Sequence, residues 1–309
     1  MQQAPTVCAV VVTFNRKTLL QRTLTALYQQ TQPVDKVLVV DNASTDGTYQ
    51  MLQEKGFLAM PNLEYINLQT NTGGAGGFYN GVKLGYEQDF DWLWLMDDDG
   101  YPTEDCLEKL LAYKEDFDFY GPLVLDDKMT GNLSFPFFYR GEKVLNKDKA
   151  TTIATDNIIH NHISPFNGIL LSKRLIEVIE YPQSNFFIWG DEMNYWHRAK
   201  KSNARIATIA NIEFYHPTAI NIATPMLFKR MQFNDSDSKI KLYCLCRNNT
   251  YNLKEYKSSL HAVLFIAKVT WFYTFTKPSI IKLKFCIPAL YHGWRQDFRH
   301  HRQFIGKSF

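Results

Sequence analysis

No stretch of the chain offers the roughly 18 uninterrupted apolar residues that a membrane-spanning helix needs. The nearest run, Leu260 to Thr276, is broken by Lys268, so no spanning helix is expected. The N-terminus has no basic segment followed by an apolar core, and no secretory signal is expected either. Cysteine is scarce. Cys8, Cys106, Cys244, Cys246 and Cys286 are odd in number, and their spacing matches no zinc or disulfide framework. That usage points to a reducing compartment and hence to a cytoplasmic location. Two nucleotide-binding signatures are missing as well. There is no G-x-G-x-x-G, and no glycine run ends in Gly-Lys-Ser/Thr. Internal repeats and low-complexity segments are absent. Acidic residues become rare toward the C-terminus: from Lys254 onward ten Lys/Arg face two Asp/Glu. The rest of the chain then holds 24 basic and 29 acidic residues, so a net charge of +3 hides a slightly acidic body and a basic tail.

What is present is globular. The 309 residues are 45% hydrophobic and 21% charged, enough to bury one large core or two. Val7 to Thr13 is all apolar and β-rich, the pattern of a strand covered on both faces. Leu20, Leu24 and Leu27 then recur at helical spacing, with Pro33 closing the segment. Val37 to Val40 is a second buried strand. It leads into Asp41-Asn42-Ala43-Ser44-Thr45-Asp46-Gly47-Thr48, where Asp46 or Ser44 can cap a second helix. Tyr65 to Leu68 is a short third strand, Asn71 to Phe78 a glycine loop opening a helix, and Trp92 to Met96 a fourth strand. This alternation predicts a doubly wound, mostly parallel α/β sheet with right-handed crossovers. Further strands are expected at 119–125, 167–172 and 204–210, with a hairpin or loop excursion over 126–164. Beyond about Thr218 strands are expected to stop and helices to take over, near 236–255 and 258–276.

In an open parallel sheet, ligands bind outside the carboxyl ends of the strands. The loops after Thr13, Val40, Leu68 and Met96 all lie at that edge. They carry Arg16, Asp41, the glycine run and Asp97-Asp98-Asp99 respectively. Three adjacent carboxylates repel one another, so the run is either a solvated turn or a site for a divalent cation such as Mg²⁺ or Mn²⁺ bridging a diphosphate. The convergence of four loops favours the cation. His216, before Pro217, is a second candidate ligand or a structural histidine. Asp41 suits a ribose or base, or a helix cap; Arg16 suits a phosphate, or is a surface arginine. Gly73, Gly74, Gly76 and Gly77 let backbone approach a ligand, or form a plain turn. Asp191 and Glu192, after Trp189 and Gly190, stand at the start of a helix. There a carboxylate either caps or, beside the aromatic Phe187 and Trp189, serves as a general base.

Together Val-Val-Thr-Phe-Asn-Arg, Val-Val-Asp-Asn-Ala-Ser-Thr-Asp-Gly-Thr, the triple Asp and Trp-Gly-Asp-Glu with Arg198 resemble the family 2 inverting glycosyltransferases of the GT-A fold, over roughly residues 7–217. Asn71 to Phe78 resembles the corresponding loop of bacterial galactofuranosyltransferases. Rhamnosyltransferases using dTDP-rhamnose share the remaining motifs. The resemblance implies a UDP-sugar donor, UDP-galactofuranose first among them, and a glycan or polyprenol-linked acceptor in O-antigen or capsule synthesis. By motif position Thr13, Phe14, Arg16, Asp41, Asn71, the four glycines and Trp189 would line the donor. Asp97 and Asp99 with His216 would hold the metal, and Asp98 would face the sugar. Glu192 would be the base, with Asp191 as its partner or its substitute. A GT-A catalytic domain over 1–217 would precede a helical region over 218–309. The basic and aromatic tail suits peripheral contact with the inner face of the cytoplasmic membrane, or a homo-oligomer interface, more than nucleic acid. The competing class is a non-catalytic nucleotide-sugar-binding module. It would not require acids at both the fourth strand end and the Trp189 segment.

Overall fold

The computed structural model describes residues 4–218 and 223–309. The elements run in chain order as β1 Val7–Thr13, α1 Lys17–Tyr28, β2 Lys36–Asp41, α2 Thr48–Glu54, β3 Leu63–Asn67, α3 Gly73–Glu87 and β4 Trp92–Asp97. Then come β5 Tyr101–Pro102, α4 Cys106–Leu111, β6 Phe119–Asp126, β7 Asn132–Tyr139, β8 Glu142–Asn146, α5 Lys147–Ile153, β9 Ile158–His160, β10 Asn167–Ser172 and α6 Lys173–Ile179. The chain ends with α7 Asp191–Lys201, β11 Ile206–His216, β12 Thr224–Met226, β13 Met231–Phe233, α8 Lys239–Tyr256, α9 Ser259–Trp271 and α10 Ile280–Trp294. It divides into two compact units. One holds residues 1–182 and 198–218; the other holds 183–197 and 219–309. The acid-bearing segment at 191–192 therefore packs with the C-terminal helices, not with the sheet as the sequence boundary near 217 implied. Residues 1–3 and 219–222, which that division also covers, lie outside the described residues.

The first unit is built on a sheet of order β3-β2-β1-β4-β10-β6-β11-β5. β1 pairs in parallel with β2 and β4, β2 with β3, and β6 with β11. Only β10 and β5 run against their neighbours in this path. Because β10 is antiparallel to both β4 and β6, β6 and β11 point the same way as β1 to β4. Six carboxyl ends thus share one edge, and the amino end of β10 joins them. The mostly parallel, doubly wound sheet expected from the alternating pattern is what forms. β1 is buried along its whole length, as its unbroken apolar sequence requires.

α3 lies unusually close to this sheet, and the glycines explain why. A Cβ on Gly77 would stand 2.3 Å from Val12 Cγ1, one on Gly81 2.2 Å from Val10 Cγ1, and one on Gly85 2.5 Å from Leu93 Cδ2. These three residues are spaced by four, on one face of the helix. Within the glycine run itself only Gly77 is needed for helix–sheet packing; Gly76 packs on the Thr72 side chain, and Gly81 and Gly85 extend the sheet contact beyond the run. Gly74 has its Cβ direction clear of any atom within 4 Å by the same measure, unlike Gly76 and Gly77, while Gly73 adopts φ +72°.

The excursion over 126–164 contains the β7–β8 hairpin, as expected. The second unit carries α8, α9 and α10 around a core that includes Tyr243, Cys246, Phe272, Tyr273 and Leu290. Strands do not stop at Thr218: β12 and β13 form a small antiparallel hairpin here, each strand too short to leave a sequence period. Phe272–Thr276 continues α9 as a π-turn.

Candidate functional site

The triple Asp leaves β4 in a turn that α1 holds from below. Thr23 Oγ1 lies 2.8 Å from the Asp98 carbonyl and 2.7 Å from that of Gly100, and Arg22 Nη2 donates to the Asp99 carbonyl at 2.8 Å. A Cβ at Gly100 would strike the Phe214 ring, so the turn also fits closely against β11. Asp97 ends β4 opposite Val12 and receives the first backbone tie of the turn, its N–H donating to Phe166 O at 3.2 Å.

Asp98 departs from expectation. Its carboxylate does not present itself outward to a sugar; it is 3% exposed and accepts from Thr13 Oγ1 at 2.6 Å, Phe14 N at 3.4 Å and Arg16 Nη1 at 3.3 Å. Its work in this structure is to bind the end of β1 to the end of β4. Burial pushes its carboxyl up to about 6, although Thr13 and Arg16 oppose the rise. Asp99 goes the other way. Burial would raise it, but the His216 ring and the Arg16 guanidinium outweigh burial and hold it below the usual carboxylate range. Arg16, whose Nη1 lies 2.5 Å from Asp99 Oδ2, is itself raised: burial would lower it, and the pull of Asp99, Asp98 and Asp97 prevails.

The fit of this cluster to a cation turns on His216. Its Nδ1 lies 2.7 Å from Pro217 O, and since a carbonyl only accepts, Nδ1 carries the proton. Nε2 then faces Asp99 Oδ1 at 3.0 Å. That oxygen is buried and has no aligned hydrogen-bond donor. With Nε2 protonated the imidazolium pairs with this carboxylate, the state in which it lowers Asp99; with Nε2 bare two lone pairs meet, an arrangement that a shared cation would relieve. The Asp oxygen atoms suit Mg²⁺ or Mn²⁺, while the imidazole nitrogen is a softer donor than Mg²⁺ favours. Among the described residues no three His, Cys, Asp or Glu side chains enclose a position by themselves. Mg²⁺ ordinarily keeps water and takes phosphate oxygens besides one or two carboxylates, so a full protein cage is not required for it.

The neighbouring loops are laced together. Asp41 is 1% exposed; it accepts from Tyr65 Oη at 2.6 Å and from Ser44 N at 2.8 Å. Burial, and then Asp41 itself, raise the Tyr65 hydroxyl. Asn15 Oδ1 accepts from Thr45 N at 2.7 Å, and Ser44 Oγ accepts from Asn15 N at 2.8 Å. Asp46 takes Lys17 N at 3.0 Å and Thr48 N at 3.1 Å, and so serves the starts of both α1 and α2. Asn71 Oδ1 accepts from Gly73 N, while Asn42 binds both Thr72 and Gly73. Thr13, Phe14, Arg16, Asp41, Asn71, Gly73, the acids and His216 are thereby gathered at one edge of the first unit. Arg22, Thr23, Asn42 and Tyr65 were not anticipated. Tyr65 lies in a segment read only as a short strand, and Thr23 in a helix read only for its leucines.

Trp189, Gly190, Asp191 and Glu192 belong to the second unit. Asp191 is buried at the first residue of α7, and Glu192 Oε2 accepts from Gly190 N at 2.9 Å. One oxygen of Glu192 therefore secures the helix start, as the capping alternative required, and holds the carboxylate in a fixed direction.

Comparison with known proteins bears on these residues. A family model described as "Glycosyl transferase family 2" matches residues 8–169. Galactofuranosyltransferase GlfT1 of Mycolicibacterium smegmatis is 29% identical over 265 residues, covering 82% of this chain and 85% of that protein. Galactofuranosyltransferase GlfT1 of Mycobacterium tuberculosis is 31% identical over 256 residues, covering 81% and 82%. Among solved structures, S. aureus TarS 1-349 in complex with UDP-GlcNAc superposes with a TM-score of 0.54 at 18% identity, over 97% of this chain and 90% of that one.

Proposed function

Since the chain belongs to glycosyl transferase family 2 and is a glycosyltransferase, we propose that it transfers galactofuranose from UDP-galactofuranose, with inversion, to a glycan or polyprenol-linked acceptor of a bacterial surface polysaccharide. The observation that carries the choice of sugar is the similarity to two galactofuranosyltransferases across about four-fifths of the chain. Under this reading Thr13, Arg16, Asp41 and Asn71 bind the nucleotide. Asp97, Asp99 and His216 would hold Mn²⁺ or Mg²⁺, which would supply positive charge to the departing diphosphate. The convergence of Asp99 Oδ1 and His216 Nε2 at 3.0 Å supports that assignment. Asp98 keeps β1 and β4 in register beneath them. Glu192, oriented by the Gly190 N–H, removes the proton of the attacking hydroxyl through its remaining oxygen, and Asp191 assists in holding the acceptor. Attack in line with the leaving UDP inverts the anomeric centre.

Membrane contact is part of the same proposal. In the second unit Leu260, Leu264, Trp271, Phe275, Ile280 and Ile281 are all exposed on or beside α9 and α10. From Lys257 to Gln296 the sequence has six Lys/Arg and no Asp or Glu, which complements an anionic lipid surface. No helix among the described residues is long and apolar enough to cross a bilayer.

The test is UDP release from UDP-galactofuranose with Mn²⁺ or Mg²⁺, with dTDP-rhamnose and other nucleotide sugars as controls. Glu192→Gln is expected to lose transfer while keeping donor affinity; normal turnover in that variant removes Glu192 as the base. Flotation of the full chain with phosphatidylglycerol vesicles tests the surface. Self-association in place of flotation makes it an oligomer interface instead.

A further inference from the structure

The segment that delivers Asp191 and Glu192 is strained. Phe187 adopts φ 69°, ψ −64°, and Ile188 N donates to Phe186 O at 2.9 Å. That is a γ-turn of the positive-φ form, which is rare for a residue with a side chain. Trp189 follows at φ 60° and Gly190 at φ 96°. A Cβ on Gly190 would also come within 3.1 Å of Asn248 Cβ. Three left-handed residues in four, immediately before two carboxylates, persist only where the surroundings over-determine them.

The surroundings are one face of α8. Arg247 is completely buried, and its Nη2 donates to Asn185 O at 3.1 Å and Phe186 O at 2.8 Å. Asn248, also completely buried, brings Nδ2 to Phe186 O at 3.1 Å, Ile188 O at 3.0 Å and Trp189 O at 2.6 Å. Asn252 Nδ2 donates to Gly190 O at 2.8 Å, and its Oδ1 lies 3.3 Å from Asn194 Nδ2 in α7. The carbonyls of Asn185, Phe186, Ile188, Trp189 and Gly190 are thus held by three side chains of α8. Arg247 Nε further donates to Asn248 Oδ1 at 2.9 Å, which fixes the orientation of that amide. A core that needed only stability would fill these positions with apolar groups, because a buried guanidinium is costly to desolvate.

We propose that Arg247, Asn248 and Asn252 are positioning residues that fix the Asp191–Glu192 pair by clamping the Phe186–Gly190 turn. The inference rests on the proposed role of those acids. The clamp works by geometry: it sets the start of α7 and with it the direction of both carboxylates. None of the three residues is assigned contact with substrate.

The experiment compares the full-length chain with Asn252→Ala, which removes the bond to Gly190 O, and with Asn248→Ala. Two readouts are taken. Hydrogen exchange over residues 186–194, without substrate, reads the clamp. Steady-state transfer from UDP-galactofuranose, with UDP affinity by calorimetry, reads its consequence. The expected result is faster exchange confined to 186–194, a kcat lowered by about 10- to 100-fold, unchanged UDP affinity, and partial recovery of kcat in Asn252→Gln. Unchanged exchange in Asn252→Ala overturns the clamp, as does a kcat within about twofold of wild type despite faster exchange. Absence of transfer by the wild-type chain refutes the functional reading instead, and exchange still decides whether the clamp exists. If Asn248→Ala does not fold, Asn252→Ala carries the decision.

Discussion

Gly77→Ala separates the two uses proposed for the glycine run. The added methyl would stand 2.3 Å from Val12 Cγ1 and 2.9 Å from Asn42 Nδ2. Carbon atoms pack comfortably at about 3.5–4.0 Å, so α3 must retreat by about an ångström or Val12 must leave its rotamer. Val12 is β-branched and lies on a fully buried strand, so neither adjustment is easy. Overpacking of this kind costs about 1–3 kcal/mol, against which alanine recovers about 1 kcal/mol of helix propensity. The clash is with a stiff side chain, so the upper part of the range applies, and a net loss of about 1–2 kcal/mol is expected. Gly74→Ala meets nothing within 4 Å and should be neutral or stabilising by up to about 1 kcal/mol. Urea denaturation followed by tryptophan fluorescence compares the two. Val12→Ala should relieve the strain, so the double variant Gly77→Ala/Val12→Ala should be more stable than the sum of the single effects by about 1 kcal/mol. Strict additivity, or a Gly77→Ala protein as stable as Gly74→Ala, refutes the packing argument. UDP affinity measured on Gly74→Ala then tests ligand approach at a donor glycine whose Cβ direction is open.

Other consequences are open to measurement. Asp99→Asn should lower UDP affinity in Mn²⁺ by about 10- to 100-fold and leave affinity in EDTA unaltered, by calorimetry; equal affinity in Mn²⁺ for both proteins excludes Asp99 as a ligand. Tyr65→Phe removes a hydrogen bond to a buried carboxylate and should cost about 1–3 kcal/mol in urea denaturation; no loss means Asp41 is held by Ser44 alone. Acidification should weaken the fold partly through His301. Burial, reinforced by the charge of Arg247, lowers that imidazole to about 4, below the 6.5 of an ordinary histidine. Between those values the unfolded chain takes up a proton that the folded one refuses, so this contribution is complete above 6.5 and is lost as pH falls toward 4. His301→Gln should flatten the fall in melting temperature between pH 7 and pH 5 relative to wild type; an identical slope rejects the assignment.

Much of the donor edge was legible from local pattern. A strand buried on both faces must be apolar throughout, so Val7 to Thr13 and Trp92 to Met96 announced themselves, and the polar residues at their ends had to lie at a sheet edge. The glycine run was legible as an anomaly but not in its meaning. Ligand approach and packing ask for the same missing Cβ, and only the partner atoms, Val12 for Gly77 and Thr72 for Gly76, distinguish them. The inward turn of Asp98 was illegible for a similar reason: three identical side chains in a row carry no indication of which one is buried.

What the sequence by itself determined is therefore what depends on near neighbours: the strand and helix periods, the order that gives a mostly parallel sheet, and the edge where Arg16, Asp41 and the acids emerge. Tertiary structure alone decided the pairings. Thr13 meets Asp98 across 85 residues, and Asn248 meets the Trp189 carbonyl across 59. It also decided that the acid pair at 191–192 travels with α8 and not with the sheet. A periodicity reports how a residue faces its own element. Which distant carbonyl a buried amide will satisfy is fixed only when two elements meet and water is excluded between them, because only then does leaving that group unpaired become costly.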